Sequence, residues 1–330
     1  MPNTILIKRK TTTGAPAPAS LQVGELCFVA PDKQVYIKNT DETLTLLNGA
    51  GGAAVTVELI NTTDPAPVAN KTIIYSKEIA GRSVPKWMPP SGLDNPFQSG
   101  LFFNQVSLIQ AGLGAAPSVL GCAVTNVGTI SHPVLATTNI KSQSRRFVNT
   151  SVATVGGLAS TRIGVLECFR GNSVGMGGFF VVARFGLTTL QAGMRMFTGL
   201  SSAATTAPTN VDPTTTITDA KIGMAINANT GNWNLIHNTA GVSPTILGLG
   251  ASFPVNATDM LEMILFAKPN DTVVTYRVKN LQTSAEVSGS LGANLPVNTA
   301  FLGRTIWATN NATAASVAWD CSRFGLETDF

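Results

Sequence analysis

A chain of 330 residues is long enough for two or three domains. Only 12% of its residues are charged while 44% are hydrophobic, and its net charge of +4 is dispersed, which argues against specific nucleic-acid binding. No window holds the roughly twenty unbroken apolar residues of a membrane span, and no apolar stretch follows the early lysines as it does in a signal peptide.

The first element is a short alternating run through Ile5 and Ile7, followed by the basic cluster Lys8, Arg9 and Lys10. A Thr/Pro/Ala arm then leads to Leu21-Gln22-Val23-Gly24-Glu25-Leu26-Cys27-Phe28. A turn at Pro31-Asp32-Lys33 precedes Val35-Tyr36-Ile37-Lys38. Two β runs around a Pro/Asp turn predict a small hairpin. It is too short to bury a core of its own.

Residues 39–80 break at Gly49-Ala50-Gly51-Gly52 and carry a possible strand around Ile73, Ile74 and Tyr75. No sustained heptad supports a long coiled-coil stalk. Residues 81–120 are rich in proline, with Pro85, Pro89, Pro90, Pro96 and Pro117 setting off Trp87, Phe97, Phe102 and Phe103. Fixed φ angles make that a stiff joint whose aromatics need cover.

Beyond residue 120 the pattern is short strands and turn signals. Strands are expected at Arg162–Arg170, Phe179–Phe185, Arg195–Leu200, Met260–Lys268, Ala300–Trp307 and Val317–Leu326. Ser201–Thr218 reads as a long Thr/Ala/Pro loop. Ile222, Met224 and Ile226 alternate, Asn229-Thr230-Gly231-Asn232 turns the chain, and Trp233, Leu235 and His237 alternate after it. Asn and Gly tolerate positive φ at such a hairpin tip. Roughly ten short strands without a convincing helix predict an all-β, jelly-roll-like β-sandwich. The expected organisation is a small N-terminal β-hairpin attachment module over 1–50, a linker or joint over 51–120 and a β-sandwich over 121–330.

The pattern carried by Ile5, Ile7, Lys8, Arg9, Leu21, Gly24, Glu25, Leu26, Tyr36, Ile37 and Lys38 resembles the N-terminal module of tailed-bacteriophage tail-fibre and head-fibre proteins. Cys27 stands where that family favours Ala. Gly81-Arg82-Ser83-Val84-Pro85-Lys86-Trp87-Met88 and the residues after it are similar to the joint before a fibre's distal domain. The resemblance implies a virion structural protein made in the host cytoplasm. Its N-terminus, through Ile5, Ile7, Lys8, Arg9, Gly24, Glu25, Leu26 and Tyr36, would attach to other tail or head proteins. It would be a homotrimer whose distal domain contacts a host-surface glycan or protein. A polysaccharide-cleaving tailspike and a capsid decoration protein without a receptor role are the alternatives.

Chemistry is sparse. Cys27, Cys122, Cys168 and Cys321 are isolated, the histidines are His132 and His237, and metal-ligand spacing is absent, so no metal or cofactor is expected. Gly175-Met176-Gly177-Gly178 precedes a strand and opens no helix, against the geometry of a phosphate cradle. Glu262, on a strand among Met260, Ile264 and Phe266, is the one acid whose burial could raise its pKa, but an arginine partner is the commoner arrangement. No enzyme is expected. For a glycan, the candidates are Trp233 and His237, flanked by the amides of Asn232 and Asn234, with Trp307 and Trp319 behind them. If Trp233 is core, the loops around Ser201–Thr218 are the place to look.

Overall fold

A computed structural model describes residues 7–32, 34–42, 44–46, 58–88, 95–96, 104–112, 116–173, 176–227 and 231–329. The chain divides into two compact units, Met1–Ile60 and Asn61–Phe330.

In the first unit, strands β1 (Ile7–Lys10), β2 (Leu26–Val29), β3 (Gln34–Lys38) and β4 (Leu44–Leu46) form one sheet in that order. The expected hairpin is β2–β3, antiparallel with Leu26 opposite Ile37. β1 runs parallel to β2, so residues 11–25 must cross over. The basic cluster holds that crossover in place. The Lys10 ammonium donates to the carbonyls of Thr13, Gly14 and Ala15 at 3.2, 2.8 and 2.9 Å. Lys8 donates to the Ser20 carbonyl at 2.5 Å and pairs with Glu25 at 3.1 Å. Glu25 in turn accepts from the Gln22 N–H, which is the main reason its carboxyl sits below the usual range, with Lys8 adding to it. Leu21, Cys27, Val29 and Lys38 are among the buried side chains of this small unit. Ile5 lies outside the described residues.

In the second unit, β5 (Ile73–Ile79), β6 (Arg82–Met88) and β7 (Asn95–Pro96) make a three-stranded sheet. The Pro-rich stretch is thus partly strand, with Pro85 opposite Ser76 and Trp87 opposite Ile74. Residues 89–94 and 97–103 of the expected joint lie outside the described residues. The remaining strands are β8 (Asn104–Gln110), β9 (Ser118–Leu120), β10 (Val124–Val127), β11 (Thr129–Ser131), β12 (Phe147–Thr150), β13 (Leu158–Ile163), β14 (Phe179–Thr189) and β15 (Arg195–Ser201). They continue as β16 (Lys221–Ile226), β17 (Asn234–Asn238), β18 (Thr245–Gly248), β19 (Met260–Ala267), β20 (Val274–Asn280), β21 (Glu286–Leu291), β22 (Gly303–Thr309) and β23 (Ala318–Asp329).

These strands make the β-sandwich expected from the sequence. One sheet runs β10-β13-β22-β15-β16-β17-β18 and the other β11-β12-β23-β14-β19-β20-β21. The long β23 takes β12 along its first residues and β8 along its last on the same edge. Of the expected joint over 51–120, β8 pairs with β23 in the sandwich sheet. Alternation aims Met196, Leu200, Ile222, Met224, Ile306 and Ala308 of the first sheet at Val181, Phe185, Leu261, Met263, Phe324 and Leu326 of the second, in one continuous core.

Several polar groups that cross that core are paired. The Trp319 indole donates to the Ala159 carbonyl at 3.0 Å, tying β23 to β13. Arg304, fully buried on β22, meets Glu167 through two bonds of 2.8 Å. It also donates to the Ser107 hydroxyl at 2.7 Å and to the Phe324 carbonyl. The expected strand Arg162–Arg170 ends at Ile163. Past it the Gly164 N–H bonds Ala123 and the backbone of Glu167 and Cys168 bonds Leu302, so the segment bends away from its sheet. Ile140–Gln143 is a one-turn helix capped by Asn139, whose Lys141 reaches the buried Asp320 at 2.8 Å. No described helix is long and apolar enough to cross a membrane.

Candidate functional site

The residues singled out around the hairpin tip are not gathered at a surface. Trp233 is 2% exposed and packs edge-on against Phe185 of the opposite sheet, with ring centroids 5.3 Å apart. His237 is buried on the same face, its Nδ1–H 3.1 Å from the Asn294 carbonyl. Asn234 is buried and Asn232 half-buried, while residues 228–230 of the tip lie outside the described residues. The open face needed for sugar stacking at Trp233 is closed by the second sheet, because Leu235 and Trp233 point together into the core. Trp319 is fully buried against Phe147.

Glu262 has the commoner of its two expected environments. It accepts from Arg184 Nε at 2.6 Å and from Arg277 at 2.7 Å. Burial alone would raise its carboxyl, but the two guanidinium groups outweigh burial and hold it below the usual range. An acid so held stays ionised at neutral pH and donates no proton. Burial pushes the thiols of Cys168 and Cys321 well up, which leaves both inert as nucleophiles.

Trp307 is where the candidate list meets a cavity. On β15 and β22, Phe197 and Trp307 are directly opposite in register and face away from the main core. With Ala225 and Ile236 they form a second, smaller apolar cluster on the outer side of the seven-stranded sheet. Their rings lie 6.4 Å apart at 40°. The Ser201–Thr218 loop folds back over this patch and leaves a cleft of about 210 Å³ between itself and the sheet. Phe197, Trp307 and Thr305 contribute from the sheet, and Thr206, Thr209 and Thr216 from the loop.

The cleft's charged end is a compact triad. Asp219 Oδ1 accepts from the Lys221 ammonium at 2.6 Å, and Oδ2 accepts from the Ser201 hydroxyl at 2.8 Å. A carboxylate carries about four lone-pair positions, so each oxygen can still accept from a ligand. Lys221 has three donors and spends one on Asp219. Hydroxyl-rich walls, a carboxylate beside an ammonium and a buried aromatic edge together suit a small polyhydroxylated ligand.

The loop is held around its rim, so the cleft exists before any ligand arrives. Asp212 accepts from the Thr214 N–H at 2.9 Å and from its hydroxyl at 2.6 Å, folding the middle of the loop into a turn. Arg162 donates to the Thr205 carbonyl at 3.2 Å and Thr309 to the Asn210 side chain at 3.0 Å. Asn238 anchors the far end through the Asp219 carbonyl at 2.8 Å. In the sequence, the signal for this site was the parity of Phe197 with Ser201 and of Thr305 with Trp307, both out of phase with the core residues.

No protein-family model matches this chain, and no curated protein does. Among solved structures it is similar to a Shewanella oneidensis protein of unknown function at 12% identity and a TM-score of 0.49, covering 70% of this chain and 89% of that one. It is similar to peanut lectin at 9% identity and a TM-score of 0.46, covering 68% and 97%. A carbohydrate esterase of the Shiga toxin-encoding bacteriophage phi24B is similar at 13% identity and a TM-score of 0.36, covering 63% and 90%.

Proposed function

We propose that this chain is a fibre or spike protein of a tailed-bacteriophage virion whose β-sandwich binds a host-surface glycan in the cleft beneath residues 201–219. The N-terminal unit, bearing Ile7, Lys8, Arg9, Gly24, Glu25, Leu26 and Tyr36, is the attachment module, and the working assembly is a homotrimer. The observation that carries the glycan reading is the cleft itself: Asp219, Lys221 and Ser201 beside Trp307 and Phe197 under a threonine-rich roof. Those groups pair with neutral sugar hydroxyls as both donors and acceptors. A binding role is preferred to hydrolysis because Asp219 is the one carboxylate lining the cleft among the described residues, and glycoside hydrolysis calls for two.

The test fills the cleft without touching the core. Ala207 lines the cleft and is exposed, so Ala207→Trp places a bulky ring in it while the fold stays intact. Retention of the purified protein on host polysaccharide should be lost with the melting temperature unchanged. Wild-type retention by the variant would sink the cleft reading. Light scattering on the same preparation reads the assembly directly, and a persistent monomer would remove the trimer.

A further inference from the structure

We infer that the outer face of the other sheet carries an oxyanion-binding site built on Arg184 and Arg323, suited to the carboxylate or phosphate of an acidic saccharide. Its basis is independent of the cleft, which lies on the opposite sheet. On β14 and β23, Arg184 and Arg323 are direct cross-strand partners. Like charges in that relation are destabilising, so a sheet ordinarily avoids them. Compensation is incomplete here. Glu262, on the next strand, is paired with both Arg184 and Arg277, and Arg323 feels its charge only through space. Arg323 is an exposed residue, yet partial burial of its guanidinium, followed by the charge of Arg184, lowers its pKa against the opposing pull of Glu262.

A second feature points the same way. The register of β23 against β14 slips between Arg184 and Phe185: Arg184 faces Arg323, but Phe185 faces Cys321. Ser322 is therefore the extra residue of a β-bulge. Trp319 and Cys321 point into the core, and strict alternation would send Arg323 after them. The bulge reverses the phase, returns Phe324 to the core and sets Arg323 on the outer face beside Arg184. Bulges re-aim side chains in this way and are over-represented at functional sites. Adjacent strands are about 4.8 Å apart, so the two planar forks can bracket one oxyanion from both sides.

The experiment uses the full chain at fixed ionic strength and follows the melting temperature against inorganic phosphate, D-glucuronate and glucose, with chloride as the balancing salt. At least one of the two anions should raise it in a saturable way, and glucose should not do so through this site. Arg323→Gln should raise the half-saturating anion concentration roughly ten-fold or more, the worth of a charge-assisted bond. Without anion, Arg323→Gln should melt at the wild-type temperature or above it, because a repulsion is relieved. A response to glucuronate alone assigns the site to acidic sugars, and a response to phosphate assigns it to phosphorylated ones. No shift with either anion in the wild type overturns the site, as does an equal shift in Arg323→Gln or a marked loss of its stability without anion.

Discussion

Neutralising Glu167 should destabilise the sandwich far more than a surface substitution, because Arg304 would be left charged in the core. Arg304 has no exposed surface, and Glu167 meets it at two positions of 2.8 Å. Breaking such a pair from one side costs about 3–5 kcal/mol. For a unit of this size a kcal/mol is worth about 2–4 °C, so Glu167→Gln should lower the melting temperature by roughly 10 °C. Arg304→Met should cost at least as much: it strands the Glu167 carboxylate and removes donors from the Ser107 and Phe324 carbonyls. The double variant Glu167→Gln/Arg304→Met removes both charges, so its loss should fall short of the sum by about 2 kcal/mol or more. Urea unfolding followed by tryptophan fluorescence measures all four corners. Single-variant losses below about 1 kcal/mol, or losses that simply add, would refute the account of Arg304 as a buried cation dependent on Glu167.

Two further outcomes follow from the site residues. Trp233→Ala should cost about 3–5 kcal/mol through the cavity it leaves beside Phe185, with glycan retention altered only as far as the protein unfolds; an unchanged melting temperature would contradict its place in the core. Glu262 has a depressed folded-state pKa, so its contribution is complete above the ordinary carboxylate range near about 4.3 and is lost as the pH falls through the folded value. Urea midpoints of wild type and Glu262→Gln should therefore converge on acidification, and a constant gap down to about pH 3 would show that Glu262 does not titrate as its arginine partners require.

The strand positions of the sandwich were largely legible, because apolar runs such as Phe179–Phe185 and Met260–Lys268 have no other way to be satisfied. Facing was not. In β16 and β17 every residue is buried, so alternation separates two faces without saying which one meets the other sheet. Trp233 and Trp307 look alike on that criterion. Trp233 lies over Phe185 in the main core, and Trp307 lies on the outer side beneath the 201–219 loop. What distinguishes them is the long polar loop leaving β15, which must cover the nearer outer face.

The charged residues were hidden for a different reason. Arg304 and Glu167 are far apart in the chain, and each alone reads as a surface residue. Only the bend after Ile163, which carries Glu167 back beneath β22, makes the pair. Arg323 is the inverse case. Alternation counted from Trp319 would place it in the core, where an unpaired guanidinium would be costly. The single inserted residue at Ser322 corrects the phase. No local sequence signal marks that insertion, since Ser fits a regular strand as readily as a bulge. It follows instead from two demands on one strand: Trp319 and Cys321 must stay inside, and so must Phe324 and Leu326. Those pairs differ in parity, so one residue between them has to be extra, and the arginine beside it is turned outward to face Arg184.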